Sequence, residues 1–210
     1  MLDDNLGIEI NEMMAHSTYM IKNPYYHSEK TRKVREKGVR LIHIWEWEMV
    51  DEDVWGRTSG WVLDILSKSR ERLFARKCRL QLVPVDKEKE FLRNYHLQGY
   101  RKSEICLGLY YDNELIQLIS FCKSRFNPNY EWELLRLCTR FGFSVVGGPN
   151  RLLENFITNN HPESIISYCD LSKFTGDIYS KIGSPFSELT RQAQSGTTRC
   201  LAENSHNNPW

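Results

Sequence analysis

One stretch, residues 26–46, constrains the fold more than any other. Tyr26-His27-Ser28-Glu29-Lys30-Thr31 leads through a basic run with Val34 and Lys37 to Gly38, and Val39, Leu41, Ile42 and Ile44 then make a short apolar run rich in β-branched residues. A glycine at the end of a helical pattern supplies the left-handed residue that closes a helix, and such an apolar run belongs inside a sheet. The segment therefore predicts a helix through Lys37 that feeds an interior strand over 39–47.

Charge is segregated around this junction. Lys30, Arg32, Lys33, Arg35, Lys37 and Arg40 crowd one segment, and Glu46, Glu48, Asp51, Glu52 and Asp53 crowd the next, although the net charge is only +1. The near-neutral balance gives no global attraction to a polyanion. The two runs read either as a solvated helix face followed by acids that open the next helix, or as a stripe that tracks phosphates. With 40% hydrophobic and 12% aromatic residues, the 210-residue chain has material for one large domain or two small ones, which excludes wholesale disorder.

The six cysteines, Cys78, Cys106, Cys122, Cys138, Cys169 and Cys200, show neither a CxxC pair nor Cys-His ligand spacing, which excludes a zinc ribbon. Cys106, Cys122, Cys138 and Cys169 sit in apolar runs where a free thiol acts as a small buried hydrophobe, so a reducing cytoplasm is expected. No basic-then-apolar leader is present, and no apolar segment approaches the ~20 residues that span a bilayer, so no membrane partner is expected.

The pattern divides into two units and a tail. Residues 1–75 carry a strand over 6–10, the helix and strand just described, and a helix over 50–74 with Val54, Trp61, Leu63, Ile65, Leu66 and Leu73 as its apolar stripe. A strand over 76–83 opens the second unit, 76–188. There Asp86 caps a helix through Tyr95 that turns Phe91 and Leu92 inward, and strands over 105–111 and 115–121 flank the turn Asp112-Asn113. A strand over 132–138 follows, then Gly147-Gly148 opens a helix with Leu152, Leu153, Phe156 and Ile157 on its apolar face. A strand over 165–168 and a short helix over 176–182 complete the unit. Residues 189–210, rich in Gln, Ser, Thr and Asn, are expected to form a flexible tail.

In the first unit the pairing of His27 with Lys30 one helical turn on, the strand Gly38-Val39-Arg40-Leu41-Ile42-His43-Ile44 and the acidic, Trp-rich exit closely resemble the last part of the Vsr-like (very-short-patch-repair-like) nuclease domain of phage and intron-borne homing endonucleases. Glu9, Asn11 and His16-Ser17 match that family's upstream strand, whereas Glu12 and Ala15 replace its glycine and tryptophan. The family's further metal-binding aspartate has no like-for-like counterpart in Asp3 or Asp4. The resemblance implies that Glu9 holds Mg²⁺, which polarises the scissile phosphate and activates water, that His16 and His27 serve as base or leaving-group acid, and that Lys30 steadies the phosphate. His43, inside a strand, reads as a satisfied core histidine.

The second unit shows the order of a GNAT-class acyltransferase. Its wording, Glu131-Trp132-Glu133-Leu134-Leu135-Arg136-Leu137, the glycine turn, Ile166-Ser167-Tyr168-Cys169-Asp170 and Gly176-Asp177-Ile178-Tyr179, resembles the GNAT-like module of phage Mom DNA-modification proteins. That resemblance implies acyl-CoA held by the backbone of Gly147 and Gly148 with Arg136, Asp170 orienting or deprotonating an amine, and Tyr179 protonating the leaving thiolate. Gly147-Gly148-Pro149 also makes an ordinary helix start.

Lys123 and Arg125, with Phe126, Tyr130 and Trp132, form a basic and aromatic loop that, with Lys30, Lys33 and Lys37, offers contacts to double-stranded DNA; aromatics folded onto a sheet are the other reading. The expectation is an α/β (α+β) protein, a short Vsr-like half followed by a GNAT-like mixed sheet, phage-encoded and acting in a bacterial cytoplasm. Its leading function is a homing-type endonuclease using Mg²⁺, with acyl-CoA-dependent DNA-base modification and a non-catalytic DNA-binding remnant as alternatives.

Overall fold

The computed structural model describes residues 5–12, 23, 26–67, 69–125, 127–176, 178, 188–190 and 197–203, the last two segments by backbone alone. Strand β1 (Leu6–Asn11) pairs in parallel with β2 (Arg40–Trp45), and α1 (Tyr26–Glu36) lies on the crossover that a parallel pair requires. Gly38, at φ +77°, ends the helix in the left-handed region as its position predicts. The strand stops at Trp45, short of residue 47, because the acids after it start α2 (Glu46–Val50): the Trp45 N–H donates to Glu48 Oε2 at 2.8 Å.

Helix α3 (Glu52–Leu66) is capped by Asp51, whose Oδ1 accepts from the Val54 N–H at 3.0 Å. The sequence pattern runs this helix to residue 74, and here the structure differs. Glu71–Phe74 is a strand, β3, paired in parallel with β8 (Phe143–Val146). Glu71 N–H donates to Gly142 O at 2.8 Å, and Asp64 Oδ1 accepts from the Gly142 N–H at 2.6 Å, so a partner 71 to 78 residues away overrides local helical preference. β3 lies within the first 75 residues yet pairs with a strand of the following segment.

The principal sheet holds β4 (Arg79–Leu82), β5 (Ile105–Tyr111), β6 (Glu114–Lys123), β7 (Trp132–Thr139), β9 (Ser164–Asp170), β10 (Glu188–Thr190) and β11 (Thr197–Glu203), in the order β10-β11-β9-β7-β6-β5-β4. Every pairing is antiparallel except β7 with β9, which are joined through α5 (Gly148–Asn160). β10 and β11 fall in and beside the stretch that composition marks as a flexible tail; there β11 pairs along the whole of β9, and backbone ladder bonds need no apolar sequence. Asp112 and Asn113 both take positive φ at the β5–β6 turn, the geometry a two-residue hairpin demands. The short helix predicted over 176–182 falls largely outside the described residues.

Helices cover both faces of this sheet. Leu152, Leu153 and Phe156 of α5 pack on Leu107, Ile119, Phe121 and Leu134, with the Phe121 and Phe156 rings stacked at 3.6 Å. On the other face Phe91 and Leu92 of α4 (Val85–Tyr95) meet Tyr110, Leu118 and Cys138. Cys106, Cys122, Cys138 and Cys169 are buried free thiols, as their apolar contexts predict. The β1–β2 pair is tied to the turn after β9: His43 N–H donates to Ser172 O at 2.9 Å, Arg40 to Lys173 O at 3.0 Å, and Lys173 Nζ to both His43 O and Glu48 Oε2. Among the described residues no helix is long and apolar enough to cross a membrane.

Candidate active site

Strands β7 and β9 pair at only three positions, Trp132 with Ile165, Glu133 with Ile166 and Leu134 with Ser167. The cause lies in β7. Ser120 faces Arg136 while the next residue, Phe121, faces Leu134, so Leu135 is an extra residue that bulges the strand and turns it away from β9. Between the parted strands lies a cleft of about 340 Å³ lined by Gln98, Arg101, Glu133, Leu134, Leu135, Arg136 and Tyr168. From Leu135 onward the β9-facing edge of β7 has no strand partner among the described residues, and such an edge can take the amide groups of an extended ligand.

The cleft's charges come from β7 and from the loop after α4. Glu133 is 3% exposed; its Oε1 lies 3.7 Å from Arg101, and its Oε2 is buried without a hydrogen-bond partner among the described residues. Arg136 does not pair with Glu133. Its Nε donates to Gly99 O at 3.1 Å and its Nη1 to Leu135 O at 2.8 Å, bracing the bulge, and burial together with Arg101 holds its pKa below the usual value. His96 is pushed down to about 3 by burial and by Arg136 and Arg57, so it is neutral at physiological pH. Two guanidinium groups against one carboxylate leave the cleft net positive, which suits an anionic ligand. Glu133 and Arg101 were not singled out as site residues in the sequence; the only signal was an acid placed in a strand that is otherwise buried.

The glycine turn divides into two roles. Gly147 sits at φ +73° with nothing within 4 Å of where a Cβ would project. At Gly148 a Cβ would fall 1.9 Å from Gln117 Oε1, so that glycine is required by the packing of α5 on β6. A second cavity, of about 470 Å³, opens beside Gly147 and is lined by Phe74, Ala75, Arg76, Val146 and Arg151. Asp170 ends β9, and its Oδ1 accepts from the N–H and the hydroxyl of Ser172 at 2.9 and 2.6 Å, which commits the carboxylate to a turn. Tyr179 and His16 lie outside the described residues. Lys123 is paired with Glu131 at 2.7 Å and lies 4.0 Å over the Trp132 ring, whereas Arg125, Lys33 and Lys37 are exposed.

Between α1 and the β1–β2 pair Glu9, His27 and Lys30 do come together, and His43 joins them. Glu9 Oε1 lies 2.6 Å from Lys30 Nζ, Glu9 Oε2 lies 3.3 Å from His43 Nδ1, and the two imidazole rings are 5.5 Å apart. The Lys30 pKa is raised by its bond to Glu9, while burial pushes His43 down to about 4. Mg²⁺ asks for octahedral oxygen donors at 2.0–2.1 Å. One carboxylate already bonded to an ammonium, beside two imidazoles, does not fit that ion.

No family model matches the chain, and no curated protein matches it. Solved structures do. A GNAT-family acetyltransferase from Bacillus cereus is 13% identical with a TM-score of 0.42, over 60% of this chain and 96% of that one. An acetyltransferase from Bacillus subtilis, solved with CoA, is 16% identical with a TM-score of 0.44, over 61% of this chain and 99% of that one. N-acetylglutamate synthase from Neisseria gonorrhoeae, solved with coenzyme A and N-acetyl-glutamate, is 11% identical with a TM-score of 0.44, over 96% of this chain and 52% of that one. The fold is mixed α/β, a mixed sheet with flanking helices. The expectation of a homing-type endonuclease, a hydrolase using Mg²⁺, is corrected: the donor set around Glu9, one carboxylate already bonded to Lys30 beside two imidazoles, is wrong for magnesium.

Proposed function

We propose that this protein is an acyl-CoA-dependent N-acyltransferase. The observation that carries the reading is the parting of β7 from β9 beyond Leu134, which opens a cleft with a strand edge that no other strand pairs among the described residues on one side and a buried carboxylate oxygen without a hydrogen-bond partner among them in its wall. An extended thioester fits such an edge, and the guanidinium groups of Arg101 and Arg136 complement its phosphates. In the reaction the acceptor nitrogen bonds to the thioester carbonyl carbon, the C–S bond breaks, and the electron pair leaves on the thiolate. Glu133 Oε2 takes the proton the nitrogen gives up. Tyr179, from the Mom-like resemblance, is the proposed acid for the thiolate, and Gly147 the proposed backbone contact for the diphosphate. Asp170 is held by Ser172, which leaves Glu133 as the base.

The acceptor we propose is an amine of a base in double-stranded DNA. The wording of 131–137 and 166–179 supports it through the Mom-like resemblance, and the exposed Lys33, Lys37 and Arg125 supply cations for the phosphate backbone. The test is calorimetric titration of the protein with acetyl-CoA, followed by mass spectrometry of nucleosides from DNA incubated with protein and acyl-CoA. Binding in the micromolar range and a base heavier by one acyl group, absent with Glu133→Gln, is the expected result. Failure to bind CoA overturns the acyltransferase reading; binding with unmodified DNA overturns the acceptor alone.

A further inference from the structure

The polar cluster between α1 and the β1–β2 pair is a ligand set that the acyl-transfer reading does not use and that does not fit magnesium. Donor atoms of Glu9, His27 and His43 all lie within 4.8 Å of one another. The hydrogen bonds around His43 settle which ring nitrogen is available. Thr31 Oγ1 donates its one proton to His27 O at 2.8 Å and must therefore accept at its 2.7 Å contact with His43 Nε2. His43 thus carries its proton on Nε2 and turns the Nδ1 lone pair toward Glu9 Oε2, 3.3 Å away.

Glu9 Oε2 and His43 Nδ1, two lone-pair atoms 3.3 Å apart with the His27 ring beside them, make a seat for a cation. Lys30 does not fill that role, because it binds the other carboxylate oxygen, Oε1. Asn11 adds a second sign. It is fully buried, its Nδ2 lies 3.2 Å from the same His43 nitrogen, to which it can donate, and its Oδ1 has no hydrogen-bond partner among the described residues. A half-turn of that amide presents the orphaned oxygen to the same point.

We propose that Glu9, His27 and His43, with Asn11 as a fourth donor, bind a divalent transition-metal ion of the zinc class, which clamps α1 onto the β1–β2 pair. Two imidazoles and a carboxylate form a donor set that zinc accepts and magnesium does not. The Thr31 bond to His43 Nε2 is the outer-shell partner that metal-binding histidines ordinarily have; it fixes the tautomer. A clamp also accounts for how α1 is held: none of its residues is buried, so apolar packing supplies little of its attachment.

The test uses the full chain freed of metal with a chelator and then titrated with Zn²⁺, Co²⁺ or Mg²⁺. One equivalent of Zn²⁺ is expected to bind and to raise the thermal midpoint, Mg²⁺ to do neither, and Co²⁺ to give visible bands of nitrogen and oxygen ligation without thiolate charge-transfer absorption. Glu9→Gln and His27→Gln, both at partly exposed positions, should each weaken Zn²⁺ at least tenfold with an unchanged circular dichroism spectrum. Thr31→Val should weaken it by roughly 10–100-fold through the lost outer-shell bond. Absence of stoichiometric Zn²⁺ binding, thiolate bands with Co²⁺, or equal affinity in Glu9→Gln and His27→Gln overturns the proposal. The Co²⁺ spectrum of the wild type decides it even should a variant misfold.

Discussion

Lys173 Nζ lies 2.6 Å from Glu48 Oε2, with side chains only 3% and 6% exposed, so the turn after β9 is joined to α2 by an ion pair sealed from water. Lys173 also donates to the backbone carbonyl of His43, and Glu48 Oε2 accepts from the Trp45 N–H. The pair is hydrogen-bonded on both sides, which offsets the cost of taking two charges out of water. Removal of one partner strands the other.

Lys173→Met should therefore destabilise the protein by about 3–5 kcal/mol in urea unfolding, and the double variant Lys173→Met with Glu48→Leu should recover much of that loss. A single variant with wild-type stability would show that the pair is dispensable.

Gly148→Ala is expected to destabilise by about 1–3 kcal/mol, because its Cβ would overlap the Gln117 amide. Gln117→Ala in the same chain should relieve most of that overlap, and a double-mutant cycle measures the coupling. Independent, additive losses would mean that Gly148 is needed for something other than packing.

His96 predicts acid lability with a definite sign. Its pKa is pushed down to about 3 in the folded protein, against an unfolded value near 6.5. The unfolded chain binds the proton first, so the stabilisation is present above pH 6.5 and is lost as the pH falls toward 3. His96→Gln should flatten the fall of the urea midpoint across that window, measured at fixed ionic strength.

Glu133→Gln should lower kcat for acyl transfer by roughly 10²–10⁴ while leaving the affinity for acyl-CoA within a few-fold, since a base acts on the proton and not on the thioester's seat. Loss of acetyl-CoA binding in parallel with kcat would make Glu133 a binding residue instead.

For the DNA contact, Lys33→Gln with Lys37→Gln should weaken binding to all sequences alike, each lost phosphate contact reducing the slope of log affinity against log salt by roughly 0.9. An unchanged slope makes α1 an ordinary solvated face.

Legibility in the sequence followed the range of the forces involved. The α1–Gly38–β2 unit, the Asp112-Asn113 hairpin and the apolar face of α5 were all readable, because capping, turn chirality and periodicity act over a few residues. The C-terminal half of the predicted 50–74 helix was not, because Phe143–Val146 claims those residues as a strand. Arg136 was read as a contact for acyl-CoA from the Mom-like resemblance, while its partners in the structure, Gly99 O and Leu135 O, were not legible.

By itself, then, the sequence determined the order and type of most elements, the burial of Cys106, Cys122, Cys138 and Cys169, and the residues Glu9, His27 and Lys30 that meet near β1. Tertiary structure alone decided that Leu135 bulges and parts β7 from β9, that residues 197–203 close the sheet against β9, and that His43 stands 3.3 Å from Glu9 with its Nδ1 exposed to it. The reason is physical: a bulge, a closing strand and a ring tautomer are set by which backbone or side chain lies across the gap, and those partners are 13 to 39 residues away in the chain, beyond the reach of any local pattern.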